Sequence, residues 1–257
     1  MRKLTSLSGT TVSYEKNGKG PPLVLVHGSF SDYKTNWEFV RSSLEKNFTV
    51  CAIARRGRGE TDATKTHGVM DEAEDVAALI DSVGEQVFLL GHSYGAQVAL
   101  AAAALLPDKI RKLVLYEPPW PQTITQEQMV RLEKLAQASD WEGFVTAFFR
   151  DTLAVHAEEI EKLHATEPWN AIVADAEASL GDLRALSRYQ FEPESFRNIG
   201  MPIMLQIGTE SPRELYATDA LAAVFPDVRI EALHGQAHEA MNTAPLEYVN
   251  SVSRFFL

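Results

Sequence analysis

A serine placed between two glycines is the residue of this sequence best suited to nucleophilic chemistry. Ser93 lies in the run Gly91-His92-Ser93-Tyr94-Gly95, which follows the apolar stretch Val87–Leu90 and precedes an alanine-rich stretch. These neighbours predict a buried strand, a one-residue turn and a helix. Such a turn exposes the serine hydroxyl, and the helix directs its free N–H groups and positive dipole end toward a developing oxyanion. The pattern favours a serine nucleophile for acyl transfer over its alternative, a buried structural serine.

The elements around Ser93 indicate an α/β protein. Strands are predicted at Leu23–Val26, Phe48–Ala54, Val87–Leu90, Lys112–Tyr116, Pro202–Ile207 and Val228–Leu233, after an opening hairpin over Leu4–Glu15. Helices are predicted at Asp71–Val83, after Ser93, at Tyr216–Phe225 and at Pro245–Phe256. Strands that alternate with helices at this spacing form a mostly parallel central sheet with helices on both faces.

The alternation stops between residues 120 and 199, where the patterns are helical and aromatic residues are concentrated. Thr125 and Gln128 predict a capping box, and Asp140 predicts the start of a further helix. Three more helical segments are predicted over Glu158–Ala165, Asn170–Ser179 and Asp182–Gln190. We therefore predict a core formed by residues 1–119 and 200–257, with a helical cap, or lid, inserted at 120–199.

Composition limits the classes of partner. The 257 residues carry a formal net charge of -11, which argues against nucleic acid and anionic membrane surfaces. The single cysteine, Cys51, has no partner for an internal disulfide and is interpreted as a core residue. The start of the chain has no apolar signal core, so we expect a cytoplasmic protein. We expect a monomer or homodimer that acts on a small molecule and needs no cofactor.

Four motifs and one further segment make the chain similar to α/β hydrolases over essentially its whole length. Gly91–Gly95 matches the family's nucleophile elbow, and His27-Gly28-Ser29 matches the loop that supplies part of the oxyanion hole. Arg56–Thr61 matches the turn after the fourth strand, and Gly235–His238 matches the histidine loop after the last strand. The segment Tyr116–Pro119 resembles a branch of capped, esterase-like members.

The resemblance implies roles for four residues. Ser93 takes the place of the nucleophile and His238 that of the general base. The backbone N–H groups of Ser29 and Tyr94 take the places of the oxyanion-hole donors.

The other histidines have less specific interpretations. His234 and His238 have the i, i+4 spacing of a zinc-binding helix, but Gly235 and the preceding strand argue against a helix, so no metal site is predicted. The remaining histidines considered are interpreted as structural or solvated: His27, His92, His156 and His164.

The sequence departs from the family at the acid of the catalytic triad, the carboxylate that orients the histidine. The loop after Pro202–Gly208 usually carries an aspartate, but Ser211 stands at that position. Some branches place the acid one strand earlier, which corresponds to Glu117. Glu210 is the alternative acid, although it lies one residue before the usual position. A third possibility is that neither carboxylate is the acid. A second departure is Ala54, where an aspartate usually precedes the arginines.

The resemblance implies a cofactor-free serine hydrolase that cleaves a carboxylic ester of a small, fairly apolar substrate through an acyl-enzyme. A lactonase or a carbon–carbon bond hydrolase would use the same residues and stays an alternative, with lyase or haloperoxidase-like chemistry as weaker ones. An alternative of another class is a small-molecule receptor on the same fold that retains slow hydrolysis.

Overall fold

A computed structural model, which describes residues 1–64 and 66–257, contains an eight-stranded sheet. The strands are β1 (Arg2–Thr5), β2 (Thr11–Gly18), β3 (Pro22–Val26), β4 (Thr49–Ala54), β5 (Val87–His92), β6 (Ile110–Tyr116), β7 (Ile203–Gly208) and β8 (Val228–Leu233). The α-helices are α1 (Arg41–Leu44), α2 (Val69–Val83), α3 (Tyr94–Leu105), α4 (Gln126–Gln137), α5 (Trp141–Asp151), α6 (Ala157–His164), α7 (Glu167–Ala174), α8 (Ala176–Ser187), α9 (Thr218–Val224), α10 (Ala240–Thr243) and α11 (Pro245–Phe256). In this described part of the chain, none of the helices is both long and apolar enough to cross a bilayer.

The sheet has the order β1-β2-β4-β3-β5-β6-β7-β8 and is mostly parallel. Strand β2 pairs antiparallel with its neighbours β1 and β4, while the six strands β3 to β8 run parallel to one another. Alternate residues of β3 show how both faces are covered: Val24 and Val26 belong to the cluster packed by α2 and α3, whereas Leu23 and Leu25 belong to the cluster packed by α11. The predicted α/β architecture, with helices on both faces of a mostly parallel sheet, is confirmed.

Parallel strands bring the candidate residues to one edge of this sheet. In the β5–β6 pair His92 lies opposite Tyr116, so Ser93 and Glu117 leave the sheet at the same level. The loop that contains Ser29 follows β3, and the loop that contains His238 follows β8. Because the carboxyl ends of parallel strands meet at one edge, residues far apart in sequence converge there.

The segment of residues 120–199, here called the helical insertion, connects β6 to β7 through helices α4 to α8. Both predicted helix starts are present. Thr125 Oγ1 accepts from Gln128 N at 3.2 Å while Thr125 N donates to Gln128 Oε1 at 2.8 Å, and Asp140 Oδ1 accepts from Gly143 N at 2.9 Å. These contacts satisfy N–H groups that have no partner inside the helix.

The boundary between the last two helices of the insertion differs from the prediction, which places it between Ser179 and Asp182. The break lies instead at Asp175, between α7 and α8, and α8 continues through Gly181. Glycine is needed here for packing rather than for a helix end, because a Cβ at Gly181 would lie 2.9 Å from His67 Cε1.

Candidate active site

Ser93 occupies a strained turn between β5 and α3. Its backbone has φ 54° and ψ −128°, a conformation that L residues adopt only where the surrounding structure holds them. The flanking glycines allow the close approach: a Cβ at Gly91 would lie 2.5 Å from Gly95 O, and one at Gly95 would lie 2.2 Å from His27 O. Ser93 is partly exposed while its neighbours are buried, so the turn presents this one side chain.

His238 and Glu117 form a direct pair at the same edge of the sheet. His238 Nδ1 lies 2.5 Å from Glu117 Oε2, and the carboxylate is fully buried. Burial of His238 opposes its protonation, but the hydrogen bond to Glu117 and its negative charge outweigh this and raise the pKa of the imidazole above its ordinary value. The arrangement stabilises the imidazolium and leaves Nε2 for proton transfer.

The backbone fixes the Glu117 carboxylate independently of His238. Glu117 has φ 48°, its N–H donates to Gln206 O at 3.1 Å, and its Oε1 accepts from Gly208 N at 2.8 Å. The left-handed conformation turns the side chain out of the direction that β6 would give it, across to the end of β7. The acid therefore sits where the loop after β7 begins, although it comes from the preceding strand.

His92 connects the histidine loop to the loop after β3. Its Nε2 lies 2.9 Å from His238 O, and its Nδ1 lies 3.0 Å from Asn36 Oδ1, an oxygen that accepts from Gly28 N at 2.9 Å. Complete burial, together with the charge of a protonated His238, holds the pKa of His92 well below its ordinary value, so the ring is neutral and donates to only one of these two oxygens. The structural role predicted for this histidine is confirmed by these contacts.

Two tyrosines hold the histidine loop from other directions. The hydroxyl of Tyr116 donates to Ala237 O and accepts from Ala240 N, which fixes the backbone on both sides of His238. The ring of Tyr216 stacks on the His238 ring with centroids 5.3 Å apart and an interplanar angle of 18°. Burial and the charge of Glu117 raise the pKa of the Tyr216 phenol, so this ring stays neutral.

The two candidate oxyanion donors lie beside the nucleophile. Tyr94 is the first residue of α3, where N–H groups have no intrahelical partner. The Ser29 loop approaches from the other side, since a Cβ at Gly28 would lie 3.0 Å from Ser93 Cβ. The roles of both amides as oxyanion donors stay predictions of the family resemblance, and a helix N-terminus at Tyr94 directs its positive dipole end to this edge of the sheet.

A buried ion network lies directly behind these donors. Arg55 donates to Asp182 and Glu72 at 2.7 and 3.0 Å, and Arg58 donates to Asp182 and Asp175, both at 2.8 Å. Burial opposes ionisation of Asp182, but the two guanidinium groups outweigh it and hold its pKa well below the ordinary value. The network joins the loop after β4 and helix α2 to helix α8 of the insertion.

His67 completes the network rather than a metal site. Its Nε2 lies 3.2 Å from Glu72 Oε1, and among the described residues His67, Glu72 and Asp182 bring three ligand atoms within 4.8 Å of one another. Arg55, however, already donates to both carboxylates, so their negative charge is compensated within the protein. Burial disfavours protonation of His67, but the two carboxylates outweigh it and raise its pKa to about 9.

The alternative acid lies outside this arrangement. Glu210 is exposed and accepts from the hydroxyl of its neighbour Thr209 at 3.1 Å, while Ser211 turns inward and is buried. The carboxylate that contacts His238 is Glu117. His234 is exposed, and His27 is buried with Nδ1 bonded to Gly28 O at 2.8 Å.

Sequence reasoning missed the residues that hold the site from behind. From the sequence, Asp182 is predicted only as part of a helix, His67 has no predicted role, and Tyr216 is predicted only as a helix start. Arg55 carried a signal, because it stands beside the departure at Ala54, where an aspartate usually sits. Its partner Asp182 is 127 positions away, and no local spacing connects the two.

Comparison with known proteins identifies the family. A family model described as "Alpha/beta hydrolase family" matches residues 23–252, and the chain therefore belongs to the alpha/beta hydrolase family. The predicted fold class is thereby confirmed a second time.

Two solved structures and one curated relative illustrate the similarity. An alpha/beta hydrolase from Sphaerobacter thermophilus DSM 20745 has a TM-score of 0.87 and 28% identity, with 100% of both chains covered. An esterase from Rhodococcus sp. ECU1013 has a TM-score of 0.79 and 24% identity, covering 99% of this chain and 97% of that one, which shows the fold alone. The 2-(acetamidomethylene)succinate hydrolase of Mesorhizobium japonicum is 27% identical over 95% of this chain and 91% of its own length.

Proposed function

We propose that the protein is a serine hydrolase that cleaves a carboxylic ester of a small, fairly apolar substrate. The observation that carries the proposal is the Glu117–His238 pair at the sheet edge from which Ser93 also projects. Membership of the alpha/beta hydrolase family supports hydrolysis as the reaction class.

The reaction proceeds in two halves. Ser93 Oγ attacks the carbonyl carbon as its proton passes to His238 Nε2, and Glu117 stabilises the imidazolium. The N–H groups of Ser29 and Tyr94 donate to the oxyanion. Collapse of the tetrahedral species expels the alcohol, which takes the proton from His238. Water then attacks the acyl group, with His238 as base, and releases the acid and free Ser93.

Aromatic packing next to the oxyanion loop supports an apolar substrate. Phe30, directly after Ser29, packs against three phenylalanines of α5, with ring centroids 4.8 to 6.0 Å apart: Phe144, Phe148 and Phe149. The nearby cations Arg55 and Arg58 are buried and paired with carboxylates, so they are not offered to an anionic group of the substrate. The helical insertion, which carries α5, acts as the cap that closes over the substrate.

The direct test is Ser93→Ala with short-chain aryl esters as substrates. We expect kcat to fall by about 10³-fold or more, because the nucleophile is lost, while the thermal midpoint stays within a few degrees. Ser211→Ala, which removes a buried hydroxyl elsewhere, serves as the matched control and retains activity.

A fluorophosphonate should label the wild type on the peptide that contains Ser93. Retained turnover in Ser93→Ala would refute the serine mechanism, and a single turnover in the wild type would favour a receptor.

Amide hydrolysis by the same residues is a second candidate. The relative that aligns over 95% of this chain is named for an acetamidomethylene substrate. The leaving amine would take its proton from His238 in the same way as an alcohol. The matched pair 4-nitrophenyl acetate and 4-nitroacetanilide separates the candidates, since an amidase cleaves both and an esterase cleaves the ester alone at a measurable rate.

A further inference from the structure

Two side chains of helix α8 reach the loop that carries the oxyanion donor, residues 27–30, here called the oxyanion loop. Ser179 Oγ accepts from Phe30 N at 2.6 Å, and Asp182 Oδ2 accepts from Ser29 Oγ at 2.8 Å. Both α8 residues are completely buried. The helical insertion therefore contacts the catalytic core at the backbone that must point toward the oxyanion.

The Ser179 hydroxyl has a fixed orientation. It donates to Asp175 Oδ2 at 2.7 Å and accepts both from Phe30 N and from Arg58 Nη2, the latter at 3.1 Å. One donor and two acceptor sites are all that a serine hydroxyl offers. Because every one is used, the hydroxyl cannot rotate away from Phe30 without losing a buried hydrogen bond.

Phe30 needs such support. Its φ of 58° lies in the left-handed region, which is unfavourable for a bulky residue and persists only where neighbours fix it. The amide is held by Ser179, and the ring stacks on Phe148 of α5 with centroids 4.8 Å apart. The conformation of the oxyanion loop thus depends on contacts from two helices of the insertion.

The same network holds the second donor residue. Arg55, which pairs with Asp182, also donates to Gly28 O at 2.9 Å, and its guanidinium lies 4.6 Å from the centre of the Tyr94 ring. Glu72 accepts from both Arg55 and the Tyr94 hydroxyl, the latter at 2.9 Å. One set of buried charges therefore fixes both sides of the oxyanion hole relative to each other.

We propose that Ser179 and Asp182 are positioning residues for the oxyanion hole, so that the helical insertion completes the catalytic machinery as well as covering it. This inference rests on the proposed function. It follows that loss of either contact lowers the rate of the chemical step and leaves substrate binding nearly unchanged, because the oxyanion exists only in the transition state.

The test is Ser179→Ala compared with Ser187→Ala, the same substitution on an exposed residue of the same helix. Ser179→Ala should lower kcat for aryl esters by about 10-fold or more with KM within two-fold, and slow the reaction with a fluorophosphonate by a similar factor. Ser187→Ala should change neither. Ser29→Ala, which keeps the amide but removes the hydroxyl bonded to Asp182, should give a smaller fall in kcat.

Hydrogen exchange provides a readout that does not depend on activity. The Phe30 amide should exchange faster in Ser179→Ala than in the wild type or Ser187→Ala, because its acceptor is gone. Unchanged exchange at Phe30 would overturn the proposal, and so would faster exchange with unchanged kcat. Failure of the wild type to turn over esters or react at Ser93 would instead refute the proposed function, whatever the exchange result.

Discussion

The carboxylates of Glu117 and Asp182 are both completely buried, but they have very different partners. Among the described residues, Glu117 contacts the basic side chain of His238 and accepts from the backbone N–H of Gly208. Asp182 accepts from two guanidinium groups and a hydroxyl, with His67 3.9 Å away. One carboxylate faces a group that is charged only when protonated, and the other faces permanent positive charge.

This difference separates chemistry from architecture. The charge of Glu117 is best compensated when His238 is protonated, which is the state that follows attack by Ser93. The charge of Asp182 is compensated at all times, so it fixes geometry and does not respond to proton transfer. We therefore expect substitutions of Glu117 to change turnover, and substitutions of Asp182 to change stability as well.

The largest expected effect is that of Glu117→Gln on turnover. We expect kcat to fall by about 10³- to 10⁴-fold, because an amide neither stabilises the imidazolium nor enforces the tautomer. kcat/KM should rise with pH as His238 loses its proton. Since Glu117 raises the pKa of His238, the midpoint of that rise should lie at lower pH in the variant. A loss below ten-fold with an unmoved midpoint would contradict the role of Glu117.

Asp182→Asn should have the largest effect on stability. The substitution leaves Arg55 and Arg58 buried without their shared anion, which costs about 3–5 kcal/mol of unfolding free energy. Denaturant unfolding measures the change. Asp219→Asn is the matched control, because its ion pair with Arg213 is exposed and worth at most about 1 kcal/mol. Equal effects of the two substitutions would show that the network does not hold the insertion to the core.

A smaller effect is expected from the titration of His67. Its pKa is about 9 in the folded protein against 6.5 for the unperturbed group, so protonated His67 stabilises the fold fully below pH 6.5. That contribution is lost as pH rises through 9, and should amount to roughly 1–3 kcal/mol. Unfolding free energies measured from pH 6 to 10 should decline in the wild type and decline less in His67→Gln. Parallel curves would contradict the assignment.

The sequence predicts well those parts of the molecule that depend on local patterns. Apolar runs locate the strands, and the glycines around Ser93 indicate the turn because only residues without Cβ fit there. Glu117 is predicted through the family resemblance, because some branches place the acid one strand earlier, and it directly follows β6, the neighbour of β5. Pro118 and Pro119 after it restrict the backbone.

The rest depends on contacts that no local pattern carries. Asp182 meets Arg55 and Arg58 only after the insertion has packed on the core, and an acidic residue on a helix is ordinarily solvated. The misplaced boundary between α7 and α8 has the same origin, since Gly181 lies inside α8 and allows the approach of His67 from another element. Tertiary packing, rather than helix propensity, decides both.

The smallest expected effect is that of Glu210→Gln, and it decides between the two candidate acids. Glu210 and Ser211 are consecutive, and the chain turns Ser211 inward while Glu210 faces solvent. The Glu210 carboxylate contacts only the exposed hydroxyl of Thr209 among the described side chains, so its loss should change kcat by less than two-fold and stability by less than about 0.5 kcal/mol. Steady-state kinetics of Glu210→Gln and Glu117→Gln on the same ester measure the contrast. A loss of 100-fold or more in Glu210→Gln would require the loop after β7 to turn by one residue during catalysis. Glu117 would then be a structural carboxylate like Asp182, and the distinction between the two buried acids would fail.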